Sequence, residues 1–131
     1  MKTLCKRLRR GDDLLIQIKS ICREHNIPAG VILSGVGCVS RARLRDASGV
    51  NIRSIDRHME IVSLTGTVSA ARCHLHIALS CEDLSTIGGH LTEGCIINTT
   101  CELVIGILDG TEYAAEHDHE TGYDEIVFKQ I

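Results

Sequence analysis

Apolar and polar positions recur with two different periods along this chain, and the change of period divides it into elements. In DLLIQIKSICREHN, Leu14, Leu15, Ile18, Ile21 and Cys22 fall at steps of three and four, the spacing that gathers side chains on one face of an α-helix. The pattern predicts one principal helix over about residues 12–26, with Asp12 or Asp13 capping its first amides and Pro28 stopping it soon after Asn26. Elsewhere the period is two, as in strands. KTLCKRLR reads as an opening strand, and AGVILSGVGCVSRARLRD is strand-rich, with Gly35 and Gly37 marking a bend or bulge. ASGVNIRSIDRH reads as loop. Residues 59–69 and 72–80 read as two strands joined by a short turn, and residues 100–108 as a long strand preceded by a short strand or loop. TEYAAEH and DEIVFKQI form a final pair around the polar turn DHETGY. One helix among about seven to nine strands, mostly in sequential hairpin order, predicts an α+β fold on a mainly antiparallel sheet, with residues 1–131 as a single domain.

Composition sharpens this picture. Hydrophobic residues make up 44% of the chain, yet there is no Trp, two Tyr and one Phe, so the core has to be aliphatic. Strands carrying small apolar side chains often leave a face for another subunit, and an oligomer is expected on that ground. A net charge of −3 gives no overall electrostatic footprint for nucleic acid or an anionic membrane. There is no apolar run of membrane-spanning length. The basic start MKTLCKRLRRGDD lacks the apolar stretch of a secretory signal, and a cytoplasmic location is expected. Cysteines 5, 22, 38, 73, 81, 95 and 101 form no C-x-x-C pair, which argues against knuckle-type zinc sites and for reduced thiols, most of them small core residues.

The candidate chemistry sits in CHLHIALSCEDLSTIGGHL. Alternation places Cys73, Leu75, Ile77 and Leu79 on a core face and His74, His76 and Ala78 on the other. Side chains at i and i+2 of a strand lie about 6.5–7 Å apart, close enough for two imidazoles to converge on one metal. His90 is the candidate third ligand, because Gly88-Gly89 lets its backbone approach without Cβ clashes. Histidines on the polar face of a strand are also often simply solvated, so spacing alone leaves both readings open. Arg41, Arg43 and Arg45 alternate with Ala42 and Leu44 and share one face, suited to phosphate or carboxylate contact or to plain solvation. SGVGCVS is followed by a strand rather than a helix, which excludes a nucleotide phosphate loop. The histidines of EHDHETGYDE belong to a solvent-exposed turn. Glu93 and Glu102 are acids that follow the histidine trio in sequence, candidates for orienting an imidazole or accepting a proton.

Taken together and in order, EIVSLTGTVS, HLHIALS, GGHLTEGC and CELVIG, with the upstream LRRGDDLLIQIKSICREHNIPAGVILSGVGCVSRARLRD and the closing DHETGYDEIVF, resemble the plants-and-prokaryotes conserved (PPC) domain. The resemblance covers nearly the whole chain. It implies a compact α+β fold assembled as a homotrimer, and a metal site, usually described as zinc, at the matching residues His74, His76 and His90. Plant relatives join this domain to AT-hooks with an Arg-Gly-Arg core; that tripeptide is absent here, which counts against direct DNA binding through such a hook.

Three functions follow as expectations. One is a small trimeric metal-binding protein, holding zinc or another divalent transition metal, with a DNA-associated or regulatory role. The second is a zinc-dependent enzyme: three histidines leave a coordination position open, and such a site lowers the pKa of water to about 7, fit for chemistry on a small-molecule ligand. In the third, the metal only ties strands together. A structural zinc normally has four protein ligands, and the sequence offers three, which favours an open position.

Overall fold

The computed structural model describes all residues, 1–131. Its elements in chain order are β1 (Lys2–Arg9), α1 (Leu14–Glu24), β2 (Gly30–Arg45), β3 (Ile52–Ile55), β4 (Met59–Val68), β5 (Cys73–Ser80), β6 (Thr86–Leu91), β7 (Ile96–Ile107), β8 (Thr111–His117) and β9 (Asp124–Gln130). One helix and nine antiparallel strands make the fold α+β, as the two periods predict.

The helix is shorter than expected at both ends. Asp13 caps it, accepting from the Ile16 amide through Oδ1 at 3.1 Å, while Oδ2 accepts from the Gly94 amide at 2.7 Å. One carboxylate thus starts the helix and ties it to the chain leading into β7; such caps contribute about 1 kcal/mol. Asp12 instead accepts from the Arg9 amide. At the other end Asn26 adopts a left-handed φ of 48°, which ends the helix before Pro28. The buried helix residues are Leu14, Leu15, Ile18, Ile21 and Cys22, the same five the periodicity marks. They join an aliphatic core with Leu75, Ile77 and Leu79 of β5 and Leu103 and Ile105 of β7. Cys22, Cys81, Cys95 and Cys101 are buried, Cys38 and Cys73 half-buried and Cys5 exposed, all as free thiols.

Seven strands form one sheet in the order β1-β7-β2-β4-β5-β6, with β3 added to β2; β8 and β9 form a separate two-stranded sheet. Several neighbours are sequential hairpins, but β1–β7, β2–β7 and β2–β4 are not, so the expectation of mostly sequential order has to be corrected. The cause is the length of β2, which is long enough to serve several partners. Its first part pairs with β4 and with β7, and its last residues pair with β3 and β6. Because β6 also pairs with β5, the path β2-β4-β5-β6 returns to β2 and closes on itself. Closure at Leu44↔Leu91 and Arg45↔His90 is the feature of the fold that assembles the site.

The β2–β7 ladder shifts register at Gly37/Cys38. There Thr99 takes a left-handed φ of 58°, and a Cβ on Gly37 would stand 2.2 Å from the Thr100 carbonyl oxygen. The bulge expected from the glycines is present, and the close approach of β7 is what requires Gly37. The stretch read as loop, 47–58, contains β3, paired to the end of β2.

Candidate metal centre

The site grows from the alternation of β5. Leu75, Ile77 and Leu79 are 1%, 3% and 0% exposed, and the residues between them turn outward. His74 and His76 therefore leave the same side of the strand. Across the ladder, His76 stands directly opposite His90 of β6, and directly opposed Cβ atoms lie about 4.5–5.5 Å apart. All three rings meet: their centroids are 5.1 Å apart for His74–His76, 5.3 Å for His74–His90 and 5.7 Å for His76–His90. One nitrogen from each lies within 4.8 Å of the other two.

The glycine pair is what lets β6 reach this position. A Cβ on Gly88 would sit 2.5 Å from the Ile77 carbonyl oxygen, and one on Gly89 would sit 2.7 Å from the Arg45 carbonyl oxygen. Both obstacles are backbone, on opposite sides of the strand. β6 is squeezed between β5 and the end of β2, and only residues without a side chain fit.

Electrostatics favour the neutral ring at His90 and His74. His90 is held well below its ordinary value of 6.5, at about 4, by burial first and then by the Arg45 charge and the neighbouring His74 and His76. His74 is also lowered, again by burial first, then by His76, Arg72 and Arg45, with Glu125 opposing. A metal needs the deprotonated ring, so His90 is ready to coordinate at neutral pH. The Nδ1 atom of His90 is buried and has no hydrogen-bond partner, a costly state for a polar nitrogen. With metal–nitrogen bonds of about 2.0–2.1 Å, tetrahedral geometry places ligand nitrogens roughly 3.3–3.4 Å apart. The observed nitrogens, all within 4.8 Å of one another, stand at most about 1.5 Å wider than that spacing. Three neutral nitrogens without a thiolate suit a borderline-soft divalent ion such as zinc.

A cleft of about 440 Å³ opens beside the histidines, lined among others by Arg45, Asp46, Ser63, Thr65, His76 and His90. Arg45, the residue opposite His90 on β2, has a buried Nε without a partner. The three arginines of β2 are thereby separated in role. Arg41 is exposed and paired with Asp56 at 2.7 Å, Arg43 is exposed, and Arg45 is half-buried at the cleft. Glu93 pairs with Lys19 at 3.9 Å, and Glu102 lies on β7 opposite Arg7 of β1. Neither lines the cleft. Sequence reasoning passed over the acid that does, Asp46, because it follows the strand in a polar stretch; its carboxylate is held low by hydrogen bonds from Ser48 and by the Arg53 charge. It also passed over Ser63 and Thr65, which nothing in the local pattern marks.

The sequence model of the Plants and Prokaryotes Conserved (PCC) domain matches residues 1–109. A curated relative, the bifunctional protein GlmU of Synechococcus sp. (strain JA-3-3Ab), is 35% identical over 127 residues, a match that takes in 95% of this chain and 20% of the relative. The chain thus spans about a fifth of the length of the curated relatives it matches. Among solved structures, a hypothetical protein from Salmonella cholerae-suis (Salmonella enterica) superimposes with a TM-score of 0.96 at 29% identity, over 98% of this chain and 94% of that one. A protein from Bacteroides thetaiotaomicron provisionally described as DNA-binding has a TM-score of 0.85 at 23% identity, over 96% and 91%. A metal-containing protein from Archaeoglobus fulgidus has a TM-score of 0.77 at 29% identity, over 97% and 94%.

Proposed function

The chain belongs to the Plants and Prokaryotes Conserved domain family, and on that premise we propose that it is a metal-binding protein whose centre faces a small-molecule cleft. His74, His76 and His90 hold the ion, zinc or another divalent transition metal. The observation that carries this reading is the convergence of three imidazole nitrogens within 4.8 Å, two of them from residues that line the cleft, His76 and His90. The similarity to a metal-containing protein from Archaeoglobus fulgidus supports it. When bound, the metal supplies a Lewis-acid centre with a coordination position left over. The chain's own residues do the rest. β5 fixes the direction of two rings, the glycine pair fixes the third, and burial keeps His90 unprotonated. No helix is long and apolar enough to cross a membrane, and the reading places the protein in the cytoplasm. It also makes the protein a homotrimer, a proposal supported by Leu33 and Val36 of β2 and Val62 of the adjacent β4, which the single chain leaves exposed.

The test is a thermal or chemical unfolding series of metal-free protein with added zinc. An ion that binds only the folded state stabilises it by about 2.7 kcal/mol at a hundredfold excess over the dissociation constant. The wild type is expected to show that stabilisation and a His74→Ala/His76→Ala variant to lose it. Equal responses of the two proteins would remove the metal centre.

A second reading, association with DNA, is favoured by Arg43, which is exposed and has no ion-pair partner. Assembly as a trimer would present it three times. Duplex binding that weakens with salt and depends on Arg43 supports it; binding indifferent to Arg41, Arg43 and Arg45, or none, removes it.

A further inference from the structure

We infer that the cleft beside the three histidines is a binding site for a small organic anion, whose carboxylate or phosphate group is held by Arg45. The inference rests on the metal centre proposed above and names the class of molecule that the site takes.

Three observations lead to it. Arg45 carries a charge that is permanent at physiological pH, yet its Nε is buried without a partner, and no carboxylate stands within ion-pair distance of it. The acid beside it in sequence does not answer that charge: Asp46 is engaged by Arg53 at 3.2 Å and by the Ser48 amide at 3.0 Å. A buried donor left unsatisfied is costly, and a ligand oxyanion supplies the missing acceptor. The second observation is charge balance. The candidate ligands are three imidazoles without an acidic donor among them, and the acid that lines the cleft, Asp46, is already paired with Arg53, so a divalent ion there keeps its charge and adds it to the guanidinium. A concave site of that sign selects anions. The third is space. A cleft of about 440 Å³ lies in the range that accepts metabolite-sized molecules. Gly88 and Gly89, required by strand packing, put no side chain into it, while Ser63 and Thr65 bring hydroxyls to its wall.

The planar fork of Arg45 matches either a carboxylate or a phosphate. Its position at the cleft, in register with His90, separates it from the outward Arg41, which Asp56 already neutralises. A nucleic-acid backbone would meet Arg43 and Arg41 first; a small anion reaches Arg45 and the metal position together.

The experiment is calorimetric titration of the full chain, metal-free and zinc-loaded, with inorganic phosphate and separately with malonate. It is run on wild type, Arg45→Gln and Arg45→Lys, with zinc content measured on every sample. Zinc-loaded wild type is expected to bind at least one probe more tightly than the metal-free form. Arg45→Gln is expected to weaken that binding roughly tenfold or more, as loss of a charged hydrogen bond does. Arg45→Lys, which keeps the charge and loses the fork, should fall between the two, and it carries the test should Arg45→Gln fold poorly. Which probe binds identifies the oxyanion. The inference is overturned if the Arg45 variants bind both probes as wild type does, or if wild type binds neither at millimolar concentration. Wild type that takes up no zinc sinks the metal centre alone, and the same Arg45 dependence in the metal-free protein then decides the anion site.

Discussion

The chain contains the pattern His-x-His twice, and the two copies have different fates. His74 and His76 lie on β5, and His117 and His119 lie where β8 runs into the turn before β9. By ring distance alone the second pair is the tighter, with centroids 4.9 Å apart against 5.1 Å. Yet only the first acquires a third imidazole, and no group of three such donors converges at the hairpin. His117 faces Asp124 across a two-stranded ribbon, 3.5 Å away and exposed. His74 and His76 are backed by Leu75, Ile77 and Leu79 in the core and flanked by a strand that the closing sheet presses against them. Spacing supplies a pair; a closed sheet with a packed rear face turns it into a candidate site.

If that contrast is right, damage to the backing should cost most. Leu75→Ala empties a position that is 1% exposed, and such truncations cost about 2–5 kcal/mol. Denaturant unfolding should show that loss, whereas Val127→Ala, at a half-buried position of the hairpin strand β9, should cost distinctly less. The next largest effect should come from the squeeze on β6. Gly89→Ala drives a Cβ against the Arg45 backbone oxygen and should destabilise by about 1–3 kcal/mol, the usual range for overpacking. Zinc affinity should fall with it, because His90 moves.

A third effect is in the pH dependence of the metal-free protein. His90 titrates near 4 when folded and near 6.5 when unfolded. Between those values the unfolded chain binds more protons, so stability rises with pH through that window and is lost as pH falls from 6.5 towards 4. Unfolding midpoints measured across this range should show the slope, and His90→Gln should flatten it. A slope unaltered in that variant would mean that His90 is not the desolvated ring the structure describes.

Much of this was legible in the sequence because it is local. The helix face, the outward aim of His74 and His76, and the need for glycine before His90 all follow from periods of 3.6 and two and from the missing Cβ. What escaped was non-local. β3 has no alternation, since three of its four residues are exposed and the fourth half-buried; it is a strand because the end of β2 needs a partner. The return of β2 to β6 leaves no periodic mark either, and so the separation of Arg45 from Arg41 and Arg43 could not be seen. Three alternating arginines look equivalent until closure of the sheet turns one into a cleft.

Elemental analysis of purified protein after zinc loading and desalting tests the central claim most directly. The account predicts about one zinc per chain in wild type, as a three-histidine centre requires, close to none in His90→Ala, and the full complement in His117→Ala/His119→Ala. Zinc retained by His90→Ala, or lost from the hairpin variant, would contradict it.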